Sequence, residues 1–459
     1  MPRKAKRPTK KEQKTTKLAS LGIGTAEAVR IAIAMHQNGD VGSASEMYRQ
    51  ILATTPDQVD ALHFLGVAEH QRGRPQRALE LMGRAAELAP HHPDIHVNRG
   101  NVLKLLGRTD EAEAAYRRAL ELRPDDANAL NNIATVARER GNYPEAMDLL
   151  RQVLDVQPDH YEAHQNMGNV LGALNRFDEA LDWHKKALAL RPGTADSYRQ
   201  LGGMFYASGL IEDAAQVYEQ WLAIEPHNAV PRHLLTACRG GEAPDRASDD
   251  FVREAFDHFA SSFDSSLARL QYQAPALVAE AVATTRGDPR GSLDVLDAGC
   301  GTGLCVEHLR PYARRLVGVD LSAAMLELAR KRGGYNELVE AELTDFLRRR
   351  PAAYDLIVSA DTLCYFGALD AVATAGSNAL RPGGDLTFTV ERSDETEAPT
   401  GHRLHPHGRY SHSERYVRRV LGDAGLDVTS LREVELRKEA GKWVRGSLVT
   451  ARKPTKATS

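Results

Sequence analysis

Gly299, Gly301 and Gly303 alternate with single residues at the end of the apolar run L-D-V-L-D-A (293–298), and a second short run, L-V-G-V-D, closes on Asp320. Running a strand straight into glycines and then into a helical stretch makes a ligand cradle, because a backbone without β-carbons can turn sharply and approach a ligand closely. A carboxylate at the end of the next strand can accept both hydroxyls of a ribose. Taken alone, G-x-G-x-G is a weak signal. Nucleotide-binding dehydrogenases carry G-x-G-x-x-G on a similar strand and helix, and a glycine turn can also serve without any ligand.

Two other groups have residue types suited to catalysis. The run Y-D-L-I-V-S-A (354–360) ends in Asp361, Thr362, Leu363, Cys364 and Tyr365, where an open α/β sheet exposes its reactive edge, so Asp361 and Tyr365 are candidates for the substrate side. Further on, G-H-R-L-H-P-H-G-R-Y-S-H-S (401–413) gathers His402, His405, His407, Arg409, Tyr410 and His412. His412 stands between serines, a polar setting for an imidazole that titrates near neutral pH. With Tyr410 it is the candidate general base or substrate-orienting group, and a plain surface loop is the competing reading. The histidine spacing matches no recognised ligand motif, so no metal site is expected.

Three details separate the glycine loop from a dehydrogenase's. The third glycine follows a single intervening residue, Asp297 sits just before the first, and Asp320 is followed by L-S-A-A-M-L (321–326). In all three the segment resembles class I S-adenosylmethionine-dependent methyltransferases. The resemblance spans about 249–453 and is nearest to bacterial proteins in which such a domain follows tetratricopeptide repeats. It implies S-adenosylmethionine as cofactor, held by Asp297, Gly299, Cys300, Gly301, Gly303, Asp320, Leu321 and Met325. It also implies that Glu342, in E-A-E-L-T-D-F (340–346), and the adjoining Leu343 hold adenine, with Asp345 the rival acid. Phe263 and Tyr272, with Phe259, would cover the cofactor from the apolar stripe Phe251, Ala255, Phe256, Phe259, Phe263 and Leu267. At helical spacing such a stripe is more often core. The segment S-A-D-T-L-C-Y replaces the Asn-Pro-Pro-Tyr type of loop found in methyltransferases acting on planar amino groups, which counts against nucleobase amines and glutamine as acceptors.

The elements that must position these residues are short strands alternating with helices. Their last two, 426–437 and 443–452, flank a glycine-containing turn and read as the antiparallel pair that closes a seven-stranded, Rossmann-like α/β sheet. With 459 residues the chain exceeds one hydrophobic core. Its first half carries a different signal. Prolines at 56, 90, 124, 158, 192 and 226 keep a spacing of 34 residues, accompanied by Gly66, Gly100, Ala134, Gly168 and Gly202, and by Ala44, Ala78, Ala112, Ala146, Ala180 and Ala214. Gly39, Gly73, Gly107, Gly141, Asn175 and Gly209 fall at the intervening turns, which makes each unit helix, tight turn, helix. This is the tetratricopeptide pattern, and it predicts an all-α superhelix. Asn98, Asn132 and Asn166, with Asn101 and Asn169 one turn further along, form a ladder. It resembles the asparagine ladder of O-linked N-acetylglucosamine transferase repeats, which would bind the backbone of a polypeptide, while satisfying neighbouring helix ends is the competing role.

The predicted organisation is a disordered basic tail (1–20), six repeats (21–237), a linker (238–248) and the α/β domain (249–453), followed by a tail (454–459). The α/β domain divides into lid helices (249–290) and core (291–453). The net charge of −3 gives no global attraction to nucleic acid or membrane, and nucleic acid is not an expected partner. Four cysteines without paired spacing, no apolar run near the ~20 residues of a membrane span and no hydrophobic signal core point to a cytoplasmic protein. The expected function is methyl transfer to a protein or peptide recruited by the repeat groove. The alternative is a small-molecule methyltransferase whose repeats serve oligomerisation or complex docking.

Overall fold

The computed structural model describes residues 23–241, 243–439 and 441–455, so the predicted basic tail and the last residues lie outside the described part. The chain divides into two compact units, one up to Arg176 and one from Phe177.

The described residues of the first unit form helices and their connecting turns: α1 (Thr25–Gln37), α2 (Val41–Thr54), α3 (Val59–Gln71), α4 (Pro75–Leu88), α5 (Pro93–Leu105), α6 (Thr109–Leu122), α7 (Ala127–Glu139), α8 (Tyr143–Val156) and α9 (Tyr161–Ala173). The turns inside pairs are made by Gly39, Gly73, Gly107 and Gly141, all at positive φ, and Asn175 after α9 adopts φ 59°, the left-handed conformation its side chain tolerates. Ala44, Ala78, Ala112 and Ala146 are fully buried where second helices pack. Gly100 shows why its position repeats: a β-carbon there would lie 2.4 Å from the ring of buried Tyr116.

The second unit begins with four more helices, α10 (Phe177–Leu190), α11 (Ala195–Ala207), α12 (Ile211–Ile224) and α13 (Ala229–Arg239). Three follow before the sheet, α14 (Asp249–Phe259), α15 (Phe263–Arg269) and α16 (Ala274–Arg286). The strands are β1 (Leu293–Ala298), β2 (Ala313–Asp320), β3 (Glu337–Glu340), β4 (Tyr354–Ser359), β5 (Leu380–Arg392), β6 (His402–Leu404), β7 (Tyr410–His412), β8 (Asp427–Glu439) and β9 (Lys442–Arg452). Between them lie α17 (Val306–Leu309), α18 (Ala323–Arg332), α19 (Leu343–Arg348), α20 (Asp370–Ala379) and α21 (Glu414–Asp423).

Parallel strands run in the order β3-β2-β1-β4-β5, and β9 joins β5 antiparallel with β8 outside it. These are the seven strands expected. Two more come from the histidine-rich segment, which folds as the antiparallel pair β6–β7 and attaches to the end of β5 through Glu391–Ser411 and Arg392–His412. Side chains alternate between two cores, Leu296 and Ile357 facing one and Val295, Leu356 and Val358 the other, as expected of strands covered on both faces.

The stretch expected as a linker is built into this unit. The Asp245 carbonyl accepts hydrogen bonds from the amides of Gly367 and Ala368, each at 2.8 Å, and the Ala247 amide donates to the Tyr365 carbonyl at 2.8 Å. The Tyr410 hydroxyl donates to the Pro244 carbonyl, and His233 Nε2 of α13 lies 2.8 Å from the Gly408 carbonyl. Glycine and proline mark the end of the repeats, but they say nothing of the partners that the backbone finds afterwards. Among the described residues no helix is long and apolar enough to cross a membrane.

Two glycines in the first unit should respond oppositely to alanine. Gly100→Ala must displace Tyr116 and should destabilise by about 1–3 kcal/mol. Gly83→Ala in α4 meets open space and should stabilise by about 0.4–1 kcal/mol. Urea unfolding of the two variants checks both signs.

Candidate functional site

The ends of β1, β2 and β4 meet where the strand order reverses, the place where open α/β sheets bind ligands. A cavity of about 500 Å³ opens there, lined by Gly299 and Gly301 after β1, Asp320 and Leu321 after β2, and Asp361 and Tyr365 after β4. Helices α14 and α15 cover it with Phe256, Phe259 and Phe263, whose rings meet edge to face: Phe256–Phe263 at 6.0 Å, Phe259–Phe263 at 5.5 Å and Phe256–Tyr365 at 5.4 Å.

On the glycine-loop side, Asp320 is held by the backbone. Its Oδ2 accepts from the Gly301 amide at 2.8 Å and its Oδ1 from the Ser322 amide at 2.9 Å. Burial pushes its carboxyl above the ordinary value, and the amides of Ser322, Gly301 and Leu321 pull against that. Each oxygen keeps a second lone pair, so a carboxylate fixed in this way can still accept two hydroxyls. Gly299 has φ 78°, and a β-carbon there would sit 2.1 Å from Thr362 Oγ1, so only glycine lets the β1 and β4 ends approach so closely. Gly303, at φ 86°, packs against Tyr335 and Arg332, while the Cys300 thiol lies against Gly318. Those two residues and Asp297 stand behind the wall rather than in it.

Asp297 is fully buried. One oxygen accepts from the Tyr335 hydroxyl at 2.5 Å and the other has no protein partner. Burial pushes its carboxyl up to about 7, although the Tyr335 hydrogen bond lowers it. Met325, Glu342, Leu343 and Tyr272 complete this part of the lining. Glu342 caps α19 through the Asp345 amide at 2.8 Å and leaves Oε1 buried without a partner, whereas Asp345 is exposed and paired with Arg348. The orphaned Glu342 oxygen, the Asp320 carboxylate held by backbone amides and the open Gly301 loop, all at the cavity wall, together fit S-adenosylmethionine.

At the end of β4, Asp361 takes φ 57°, a left-handed conformation uncommon outside glycine and asparagine. Its Oδ2 accepts from Arg437, and Oδ1 is buried without a partner. Arg437 also pairs with Glu391 and, at 2.6 Å, with Glu439, while Arg409 binds Glu391 at 2.6 Å and Glu439 at 2.7 Å. Arg409, Arg437 and Glu439 reach the cavity surface. Burial pushes Asp361 up against the pull of Arg437, whereas the two guanidinium groups hold Glu391 and Glu439 below the ordinary range in spite of burial. His407, 3.5 Å from Glu391, is held near 3 by burial and stays neutral. With Arg409 and Arg437 balanced by Glu391 and Glu439, a proton on Asp361 leaves the cluster neutral and its loss leaves one net negative charge.

The histidine-rich segment does not supply the cavity's imidazole. His412 is fully buried in β7, its Nε2 lies 3.1 Å from the Gly367 carbonyl, and burial lowers it to about 4. Tyr410 is buried beside it with its hydroxyl on Pro244. The flanking serines that read as a polar, unpacked setting belong instead to a strand paired with β5 and to the Ser413 cap of α21. Among the described residues no group of three or more His, Cys, Asp or Glu side chains could hold a metal ion.

The asparagine ladder joins neighbouring helices. The Asn98 amide meets His63 Nε2 at 2.9 Å, Asn132 donates to Asn101 at 3.0 Å, and Asn166 donates to Asn131 at 2.9 Å. Asn101 also accepts from Tyr116 at 2.9 Å. Asn169 is half-buried on the same helix as Asn166.

Sequence reasoning missed Arg437, Glu391 and Glu439, and also Asp257 and Asp264 of the covering helices, which bind Ser322 and Thr302. The acidic pair stands seven residues apart, a helical spacing that was visible. Arg437 gave no such signal, because an irregularity between Glu435 and Arg437 in β8 turns it inward.

Comparison with known proteins agrees with both halves. A family described as a methyltransferase domain matches residues 296–388, and a tetratricopeptide repeat family matches 57–125, 92–159, 125–192 and 162–225. A ubiquinone biosynthesis O-methyltransferase of Vibrio atlanticus is 27% identical over 151 residues, 30% of this chain and 63% of that protein. Methyltransferase-like protein 27 of Homo sapiens is 39% identical over 84 residues, covering 18% and 34%. A probable S-adenosylmethionine-dependent methyltransferase, CRG1, of Saccharomyces cerevisiae is 28% identical over 136 residues, covering 28% and 46%. The chain thus spans less than two thirds of the length of each.

Asp297 offers a test of the buried carboxyl. A folded-state value raised to about 7 means that the folded chain holds this proton more tightly than the unfolded one. The stability it contributes is complete below the unfolded value of about 3.9 and is lost as pH rises through 7. Tyr335→Phe removes the hydrogen bond that lowers the value, so the loss should extend to higher pH. Thermal melts of cofactor-free wild type and variant should diverge progressively between about pH 7 and 9, by about 1–3 kcal/mol.

Proposed function

We propose that this chain, in which tetratricopeptide repeats precede a methyltransferase domain, transfers a methyl group from S-adenosylmethionine to a small acceptor, with Asp361 receiving the acceptor's proton. The observation that carries this reading is the single cavity shared by the Asp320–Gly301 cradle and the Asp361–Arg437 cluster.

In this reading Asp320 holds the ribose, Glu342 and the Leu343 amide hold adenine, and Asp297 supports the loop from behind the wall through its hydrogen bond with Tyr335. Bound there, S-adenosylmethionine supplies an electrophilic methyl group on a sulfonium. The chain's part is alignment, exclusion of water and removal of a proton. Phe256, Phe259 and Phe263 exclude water. The free Oδ1 of Asp361 takes the proton, which neutralises the buried cluster, and Tyr365 stays protonated because burial raises its hydroxyl. No covalent enzyme intermediate is needed. A small acceptor is preferred to a recruited polypeptide because the carboxamides of Asn98, Asn132 and Asn166 already pair between helices.

Incubating the full-length protein with labelled S-adenosylmethionine and a fractionated host extract should place label in the small-molecule fraction. Label confined to polypeptides would overturn the preference and restore recruitment through the repeats. Asp320→Ala should weaken S-adenosylhomocysteine binding by about 1.5–3 kcal/mol in calorimetry, the scale of charged hydrogen bonds.

Asp361→Asn should leave that affinity unchanged and slow transfer by about 10²- to 10⁴-fold. In the wild type the rate should rise with pH through the raised value of Asp361, since only the ionised form accepts a proton. The asparagine variant should lack that limb.

A further inference from the structure

We propose that the last repeat forms one wall of the acceptor site: Val230 and Leu234 of α13 pack against an apolar acceptor, and Arg199 of α11 binds an anionic group on it. The inference rests on reading the cavity as a methyltransferase site.

Residues assigned to the cofactor come from β1, β2, α18, α19 and the covering helices, and none comes from α11 or α13. Yet Arg199, Val230 and Leu234 line the same cavity. They are fixed there. His233 of α13 meets the Gly408 carbonyl at 2.8 Å and packs tilted against Phe251 with ring centres 4.0 Å apart, and the Ala247 amide binds the Tyr365 carbonyl. Most of the lining between this wall and Tyr365 is apolar, including Phe251, Val252 and Phe256.

The guanidinium groups around the cavity differ in what already holds them. Arg409 and Arg437 are closed into the Glu391–Glu439 network at 2.6–2.7 Å, and Arg246 pairs with Asp249 at 2.5 Å. Arg199 is different. Its carboxylate contact is to Glu254 at 3.9 Å, its Nε is buried without a hydrogen-bond partner, and its guanidinium lies 5.5 Å from the centre of the Trp221 ring. A guanidinium oriented on an aromatic face, with donors unmet, is suited to a planar carboxylate or similar anion. The acceptor class that follows is a small organic acid with an apolar, ring-sized body.

Two dyes that differ by one sulfonate test this on the full-length protein saturated with S-adenosylhomocysteine: 1-anilinonaphthalene-8-sulfonate and the neutral N-phenyl-1-naphthylamine. The anionic dye should bind the wild type about tenfold more tightly, the scale of one charged hydrogen-bonded contact. Arg199→Gln should erase that preference without changing neutral-dye affinity. Leu234→Trp, or Val230→Trp if the first does not fold, should lose both dyes while S-adenosylhomocysteine binds as before. A preference that survives in Arg199→Gln, or a folded tryptophan variant that binds both dyes normally, overturns the inference. Failure of the wild type to bind S-adenosylhomocysteine would instead overturn the methyltransferase reading itself.

Discussion

Arg437 is buried among three carboxylates that belong to distant stretches of chain: Asp361 after β4, Glu391 near the end of β5 and Glu439 in β8. A charge in such a place is costly unless paired, and removing one partner leaves another uncompensated, an effect of about 3–5 kcal/mol. The ion cluster therefore makes the ends of β4, β5 and β8 depend on one another. It also explains why the closing pair β8–β9 matters to the site. The irregularity before Arg437 makes Leu436 and Arg437 consecutive buried residues, so the strand supplies an apolar contact and a charge at one level of the sheet.

The two sides of the cavity are organised by different physics. The glycine-loop side is local: amides within two residues of Asp320, or one loop away, fix its carboxylate. The side at the end of β4 is assembled from afar. Asp361 is held from β8, and Tyr365 to Ala368 are held by the backbone of Asp245 and Ala247, more than a hundred residues earlier in the chain. Asp361 holds its left-handed conformation with its amide donating to the Thr389 hydroxyl and its carboxylate accepting from Arg437.

That difference decides what could be read from sequence. Local devices were legible: the glycine loop, the carboxylate after β2, the helix pairs with their small-residue series, and the antiparallel strands at the end. Periodicity and short motifs record them directly. The buried cluster was not legible, because its members share neither a motif nor a period, and an inserted residue in β8 reverses the facing that alternation would predict. His412 misled for a related reason. Serine neighbours suggest solvent in isolation, but pairing of Ser411 and His412 with β5 and of Tyr410 with β6 left all three residues buried. The linker misled too, since composition predicts where regular structure stops and not what the extended backbone then pairs with.

The contacts of α13 and of residues 244–247 also bear on how such a chain can change its length over evolutionary time. Repeat arrays grow and shrink by duplication and loss of whole units, each unit needing only its neighbours. Here the final unit has a second allegiance, because His233 and the Asp245 and Ala247 backbone are committed to the α/β domain. A duplication inserted at that junction would have to reproduce the His233, Asp245 and Ala247 contacts, whereas one further towards the N-terminus would leave them untouched. The array is thus free to vary at one end and anchored at the other, and α13 with residues 244–247 should be inherited with the α/β domain rather than with the repeats.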